Sequence, residues 1–143
     1  VQHVQAARIL EMLKKEHLED VVVNVGPVKM SNVPSLYKQC DGLLMPTLLE
    51  SFSGTYVEAM YHRKTILTSR LDFAEDVCGT SAFYFDPLDE VSILKEMLVA
   101  FGNDELRRQK IEEGRAKLAQ LPSWAQAFDK YQTLIEKTLS AAS

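Results

Sequence analysis

Residues 46–60 read PTLLESFSGTYVEAM, and this stretch joins a short apolar strand to the start of a helix. Pro46 ends the apolar run at residues 43–45. The loop that opens the helix contains small or polar residues, Ser51, Ser53, Gly54 and Thr55. A helix N-terminus carries unpaired N–H groups and a partial positive charge, so it favours anions such as phosphates. The stretch therefore predicts a strand–loop–helix unit that can bind a phosphate group.

Two carboxylates flank the start of this helix. Glu50 precedes the helix at the mouth of the predicted sheet, and Glu58 follows eight residues later, inside the helix. This spacing lets the two carboxylates border one pocket from two sides. A carboxylate accepts two hydrogen bonds and so matches the vicinal hydroxyls of a sugar or a ribose. The spacing alone leaves open that both are solvated surface charges.

Outward from this stretch, short apolar strands alternate with helices. Strands are predicted at residues 21–25, 43–45, 65–68 and 82–85. Helices are predicted at residues 1–17, 31–38, 56–60, 73–78 and 104–119, and two more begin after the caps Asp89 and Ser123. Such alternation predicts an α/β fold, a Rossmann-like parallel sheet with helices on both faces, because each crossover helix must pack back onto the sheet. Ligands of such sheets bind at the carboxyl ends of the strands.

The predicted organisation is a single partial domain over residues 1–143, with an α/β layer at 1–88 and a C-terminal helical tail at 89–143. Apolar periodicity in the tail predicts two amphipathic helices. The first is expected to bury Val91, Leu94, Met97, Leu98 and Phe101, and the last to bury Trp124, Phe128 and Tyr131.

Composition excludes several classes of function. The net charge is −4 and the basic residues are scattered, which argues against nucleic-acid binding. No apolar run reaches the roughly 18–20 residues of a transmembrane segment, and the absence of a secretory leader predicts a cytoplasmic protein. Cys40 and Cys78 follow no metal-site spacing and are expected to be reduced thiols. The three histidines share no ligand spacing either, so neither a metal nor a cofactor is predicted.

An ordered series of motifs resembles the C-terminal, donor-binding domain of the family-4 retaining glycosyltransferases, which have the two-domain GT-B fold. The central motif resembles the family's P-S-x-x-E-G-F-G…E-A-M signature and keeps its Glu-x7-Glu spacing. The segments that carry the resemblance are residues 24–28, 33–41, 45–60, 74–77, 83–89 and 123–124. Together they extend over most of the chain.

The resemblance implies a retaining hexosyltransferase that moves a sugar from a nucleotide-diphosphate sugar to an acceptor. It implies that Glu50, the catalytic candidate, contacts the donor hexose near the reacting centre, and that Glu58 binds the ribose hydroxyls. The remaining donor-binding residues that it implies are Ser51, Phe52, Ser53, Gly54 and Thr55, with their backbone amides on the sugar or the diphosphate. The acceptor, a carbohydrate or a lipid-linked one, stays open.

The chain departs from the family pattern in three ways. The glycines of the family's G-G-x-P-E turn are missing, since this chain has Leu71-Asp72-Phe73-Ala74-Glu75 there. The family's E-G-F-G is Glu50-Ser51-Phe52-Ser53 here, with the glycine displaced to Gly54. The family's diphosphate-binding Arg and Lys lie on a strand–turn–helix unit that would precede residue 1, as would the N-terminal acceptor domain. The chain is therefore expected to be truncated at its N-terminus and inactive alone, with peripheral membrane attachment through the missing domain left open. Two alternatives remain: a nucleotide-sugar epimerase of similar fold, and a degenerate, non-catalytic interaction domain.

Overall fold

The computed structural model describes residues 4–141, which divide between Val33 and Pro34 into two units. The first unit contains helix α1 (Val4–Lys15) and a 3-10 turn at Met30–Asn32. Helix α2 (Val33–Gln39) begins at the boundary. The second unit continues with β1 (Gly42–Met45), α3 (Gly54–Tyr61), β2 (Thr65–Ser69), α4 (Asp72–Cys78), a 3-10 turn (Gly79–Ser81), β3 (Ala82–Phe85), α5 (Glu90–Gly102), α6 (Asp104–Leu118) and α7 (Trp124–Ala141). Residues 1–3 of the helix predicted at 1–17 lie outside the described residues.

The sheet is parallel and has the order β1-β2-β3. Leu44 lies opposite Leu67, and Thr68 lies opposite Tyr84. All five residues of β2 are buried, as expected for a central parallel strand covered on both faces. The predicted α/β class with a parallel sheet is confirmed.

Alternate residues of the strands build two cores, one on each face of the sheet. Ile66 and Ala82 belong to a cluster formed with residues of α3 and α4, whereas Leu67 and Phe83 belong to a cluster with Ala100 of α5. Successive side chains of a strand point to opposite faces, so α3 and α4 cover one face and α5 covers the other. Helices on both faces are thus confirmed.

The strand predicted at residues 21–25 is wrong. Its four valines are between 48% and 75% exposed, and no strand forms there. The amides of Val21 and Val22 instead bond to the carbonyl of Leu18 in a turn that follows α1. A strand is stabilised by ladder hydrogen bonds to a neighbour, and β-branched composition does not supply that neighbour.

The predicted inner faces of α5 and α7 are also corrected. Of the face predicted for α5, Met97 packs inward, together with Ile93, which was not predicted. The other predicted residues are exposed: Val91, Leu94, Leu98 and Phe101. Trp124 of α7 is 93% exposed, and its helical neighbours Phe128 and Tyr131 are exposed as well. Helical periodicity shows which residues share a face, but it does not show which face another element covers.

Candidate functional site

The carboxyl ends of the three strands lie along one edge of the sheet, as parallel pairing requires. The loops that follow them begin at Pro46, Arg70 and Asp86. The amide of Arg70 donates a 2.8 Å hydrogen bond to the carbonyl of Phe85, which ties the ends of β2 and β3 together. The loop at residues 46–53 leads from this edge into α3, so the stretch singled out by sequence lies at the position where ligands of such sheets bind.

The first turn of α3 is open. Ser53 occupies the N-cap position with extended backbone angles, but its side chain makes no capping hydrogen bond. A Cβ atom placed on Gly54 would meet nothing within 4 Å. An uncapped first turn leaves N–H groups available to an outside acceptor, and an anion is favoured there by the helix dipole. The start of α3 can therefore receive an anionic group.

A buried hydroxyl pair fixes the position of α3. The Tyr56 and Thr68 hydroxyls are 2.7 Å apart, and Thr68 donates a 3.2 Å hydrogen bond to the carbonyl of Met45, the last residue of β1. Tyr56 therefore donates to Thr68. Burial raises the pKa of Tyr56, and the nearby Glu50 carboxylate adds to this, while the bond to Thr68 opposes it. Sequence analysis missed this pair; its only signal was a tyrosine and a threonine within apolar segments.

Glu50 borders a cavity of about 320 Å³, a size that falls at the small end of ligand sites. One of its carboxylate oxygens accepts a 3.3 Å hydrogen bond from the amide of Ser51. Asp72 and Asp76 also line this cavity, together with Leu48, Leu49, Ser51, Leu71 and Phe73. Three carboxylates repel a bare anion and accept hydrogen bonds from hydroxyl groups. The cavity is suited to a polyhydroxylated ligand.

A second cavity, of about 590 Å³, shares Leu48 and Leu71 with the first. Its cation is Arg70, whose guanidinium lies 5.3 Å from the centroid of the Tyr84 ring and 3.5 Å from Glu75. Arg70 brings a positive charge to the strand ends, next to the acidic cavity. Sequence analysis did not single it out, although its position directly after a buried strand was a signal.

Glu58 contacts a side chain of α2. Its Oε2 atom accepts a 3.3 Å hydrogen bond from the Tyr37 hydroxyl, which is also 3.4 Å from the carbonyl oxygen of Thr55. The ring of Tyr37 stacks on that of His62. Burial and the Glu58 carboxylate raise the pKa of Tyr37 to about 12, so its hydroxyl remains a donor. Glu58 is not among the residues that line the Glu50 cavity.

The other predicted site residues lie on the loop before α3 and in its first turn, with different exposures. Ser51 and Phe52 are exposed, Thr55 is half-buried, and Ser53 is buried. The Ser53 side chain thus lies against the protein. Within residues 4–141, no three His, Cys, Asp or Glu side chains are grouped so that they could hold a metal ion. In the same part of the chain, no helix is long and apolar enough to cross a membrane.

Comparison with known proteins gives a family and a fold. The family model described as glycosyl transferases group 1 matches residues 4–117. The chain is 25% identical to a mannosylfructose-phosphate synthase of Agrobacterium fabrum, over 90% of this chain and 29% of that protein. A sucrose-phosphate synthase from Thermosynechococcus elongatus has a similar fold, with a TM-score of 0.80 and 19% identity over 97% of this chain and 35% of the other. The chain thus spans about a third of the length of these relatives.

Proposed function

This chain belongs to the glycosyl transferases group 1 family, and from that membership we propose that it is the donor-binding half of a retaining hexosyltransferase. The donor is a nucleotide-diphosphate sugar, and the acceptor binds to an N-terminal domain joined to this one. The single observation that carries the proposal is the open first turn of α3 at the carboxyl edge of the sheet, with Glu50 before it and Glu58 within it.

Each part of the donor has a counterpart in the site. The hexose occupies the cavity that Glu50 borders, because the carboxylates of Asp72 and Asp76 are further acceptors for its hydroxyls. The diphosphate binds to the backbone amides from Phe52 to Thr55, at the uncapped helix start. The ribose binds to Glu58, within the second turn of α3. The donor therefore extends along the start of one helix.

Arg70 supports this arrangement electrostatically. It lies beside the acidic cavity, stacks on Tyr84 and pairs with Glu75 at 3.5 Å, so the guanidinium is restricted and its charge is partly balanced. A cation and a helix dipole near the departing diphosphate stabilise the charge that develops when the bond to the sugar breaks. In this proposal, rate enhancement comes from positioning of the acceptor hydroxyl and from this stabilisation. Turnover then requires the acceptor domain.

Calorimetric titration of the chain with UDP, GDP, ADP and their sugar conjugates tests the proposal. We expect one nucleotide to bind saturably. Glu58→Ala should weaken it about tenfold or more, because hydrogen bonds to a charged group contribute roughly 1.5–3 kcal/mol. Glu50→Ala should reduce the preference for the sugar conjugate over the free nucleotide. The matched control is Glu105→Ala, which removes an exposed glutamate at the start of α6.

The titrations distinguish a donor site from a non-catalytic interaction domain. Failure of all three nucleotides to bind, or an equal loss in the Glu105→Ala control, would contradict a donor site on this chain. Unchanged binding in both the Glu50→Ala and Glu58→Ala variants would favour the second candidate, a non-catalytic interaction domain. That candidate draws on the exposed apolar face of α7, formed by Trp124 and the residues that follow it on the same face. The epimerase alternative is not favoured, because the family match is to transferases.

A further inference from the structure

Tyr37 contacts the donor-site helix at two successive turns. Its hydroxyl lies 3.4 Å from the carbonyl oxygen of Thr55, in the first turn of α3, and 3.3 Å from Oε2 of Glu58, one turn later. Both partners are acceptors, so the tyrosine is the donor and its single proton is shared between them. One side chain of α2 thus touches both the helix start and the carboxylate assigned to the ribose.

The Tyr37 ring is held independently of its hydroxyl. It stacks on His62 with the ring centroids 4.8 Å apart and the planes 15° apart. His62 is the C-cap residue of α3, so the ring rests at one end of the helix while the hydroxyl reaches the other. Burial and Glu58 keep the phenol protonated, with its pKa raised to about 12. The Tyr37 hydroxyl is therefore held in place and remains a hydrogen-bond donor at neutral pH.

We propose that Tyr37 is a positioning residue that orients the Glu58 carboxylate toward the two hydroxyls of the nucleotide ribose. The proposal rests on the proposed function, since it assigns the ribose to Glu58. A carboxylate oxygen has two lone pairs, so Oε2 can accept from Tyr37 and still accept from a ligand hydroxyl. A glutamate that is already oriented loses less side-chain freedom when the ligand binds. Without the Tyr37 hydroxyl, Glu58 loses more side-chain freedom on binding, and the affinity is lower.

This role predicts a specific selectivity. Only a ligand with both ribose hydroxyls uses the oriented carboxylate fully, so the benefit of Tyr37 belongs to ribonucleotides. A 2′-deoxynucleotide lacks one of these hydroxyls and gains little from the orientation. A tyrosine that merely stabilised α2 against α3 would affect both kinds of ligand equally. The ratio of the two affinities therefore distinguishes positioning from a structural role.

The test measures the affinities of UDP, GDP and ADP and of their 2′-deoxy counterparts by calorimetry. The wild-type chain should prefer the ribonucleotide about tenfold or more. Tyr37→Phe keeps the stacked ring and removes the hydroxyl. It should lower this preference about three- to tenfold, with the 2′-deoxynucleotide affinity within about twofold of the wild-type value. Adding Tyr37→Phe to Glu58→Ala should change the preference no further, because the tyrosine acts through the glutamate. Tyr131→Phe, at an exposed tyrosine of α7, is the matched control.

Three results would overturn the inference, and they differ in what else they overturn. If Tyr37→Phe weakens both kinds of nucleotide equally, the tyrosine is structural. If the preference disappears in Glu58→Ala but is unchanged in Tyr37→Phe, the proposed donor site stands and the inference alone fails. If the wild-type chain binds none of the nucleotides, the proposed function fails and this inference fails with it.

Discussion

Removing the Thr68 hydroxyl should be more damaging than removing its partner on Tyr56. Thr68→Val keeps the side-chain shape but leaves the fully buried Tyr56 hydroxyl without its acceptor and the carbonyl of Met45 without its donor. An unsatisfied buried polar group costs about 1–3 kcal/mol. Tyr56→Phe removes one hydrogen bond, while Thr68 can still donate to Met45. Its expected cost is about 1 kcal/mol.

The double variant Thr68→Val/Tyr56→Phe measures how strongly the two hydroxyls interact. With both hydroxyls gone, no buried tyrosine hydroxyl is left unpaired, so the loss should be clearly smaller than the sum of the two single losses. The expected difference, about 1–2 kcal/mol, is the interaction energy of the pair. Urea unfolding followed by far-UV circular dichroism measures it. Tryptophan fluorescence would change little on unfolding, because the single tryptophan, Trp124, is already exposed in the folded state.

Tyr131→Phe is the control for these variants. Tyr131 is 69% exposed, so its loss of a hydroxyl should change the free energy of unfolding by no more than about 0.5 kcal/mol. Equal losses for Thr68→Val and Tyr56→Phe, or single losses that simply add in the double variant, would refute the view that this pair fixes α3 to the end of β1.

Three other predictions concern backbone and burial. Gly42→Ala should cost about 1–3 kcal/mol, because a Cβ there would lie 2.9 Å from the backbone oxygen of Thr65; urea unfolding measures it, and a neutral result would contradict the close approach. Arg63→Gly should stabilise the chain by about 0.5–1 kcal/mol, since Arg63 has a φ of 54° after α3, where glycine is unstrained; a lower unfolding midpoint would contradict this. Burial raises the pKa of Cys78 to about 12, whereas the pKa of the thiol in the unfolded chain is about 8.5. The folded state therefore disfavours the thiolate, and stability should fall as pH rises through this window. In Cys78→Ala the fall in the free energy of unfolding should be smaller, and an identical fall would exclude the thiol as a cause.

The fold class was predictable because its signals are local. The runs at residues 43–45, 65–68 and 82–85 are apolar, short and bounded by turn residues, and each forms a strand. The run at residues 21–25 carries the same signal and forms none. A strand also needs a neighbour with unpaired backbone groups. The four valines and one asparagine of residues 21–25 do not contain that information.

The candidate site was predictable in position but not in arrangement. Chain order alone puts the start of α3 after the end of β1, so the open helix start and its flanking carboxylates follow from the motif. The contact between Tyr37 and Glu58 joins residues 21 positions apart in the chain. The roles of Ser51 to Thr55 in donor binding remain proposals.

The amino-acid sequence by itself determined the three strands that pair and the helices that alternate with them, the glycosyltransferase family and the polar groups at the strand ends, because these depend on neighbouring residues. The tertiary structure decided which face of α5 packs inward, since that helix is apolar on more than one side. It also placed Glu58 beside Tyr37 and joined Thr68 to Tyr56. These features depend on contacts between distant segments, whose free energies are set by packing and by the burial of polar groups rather than by local preference.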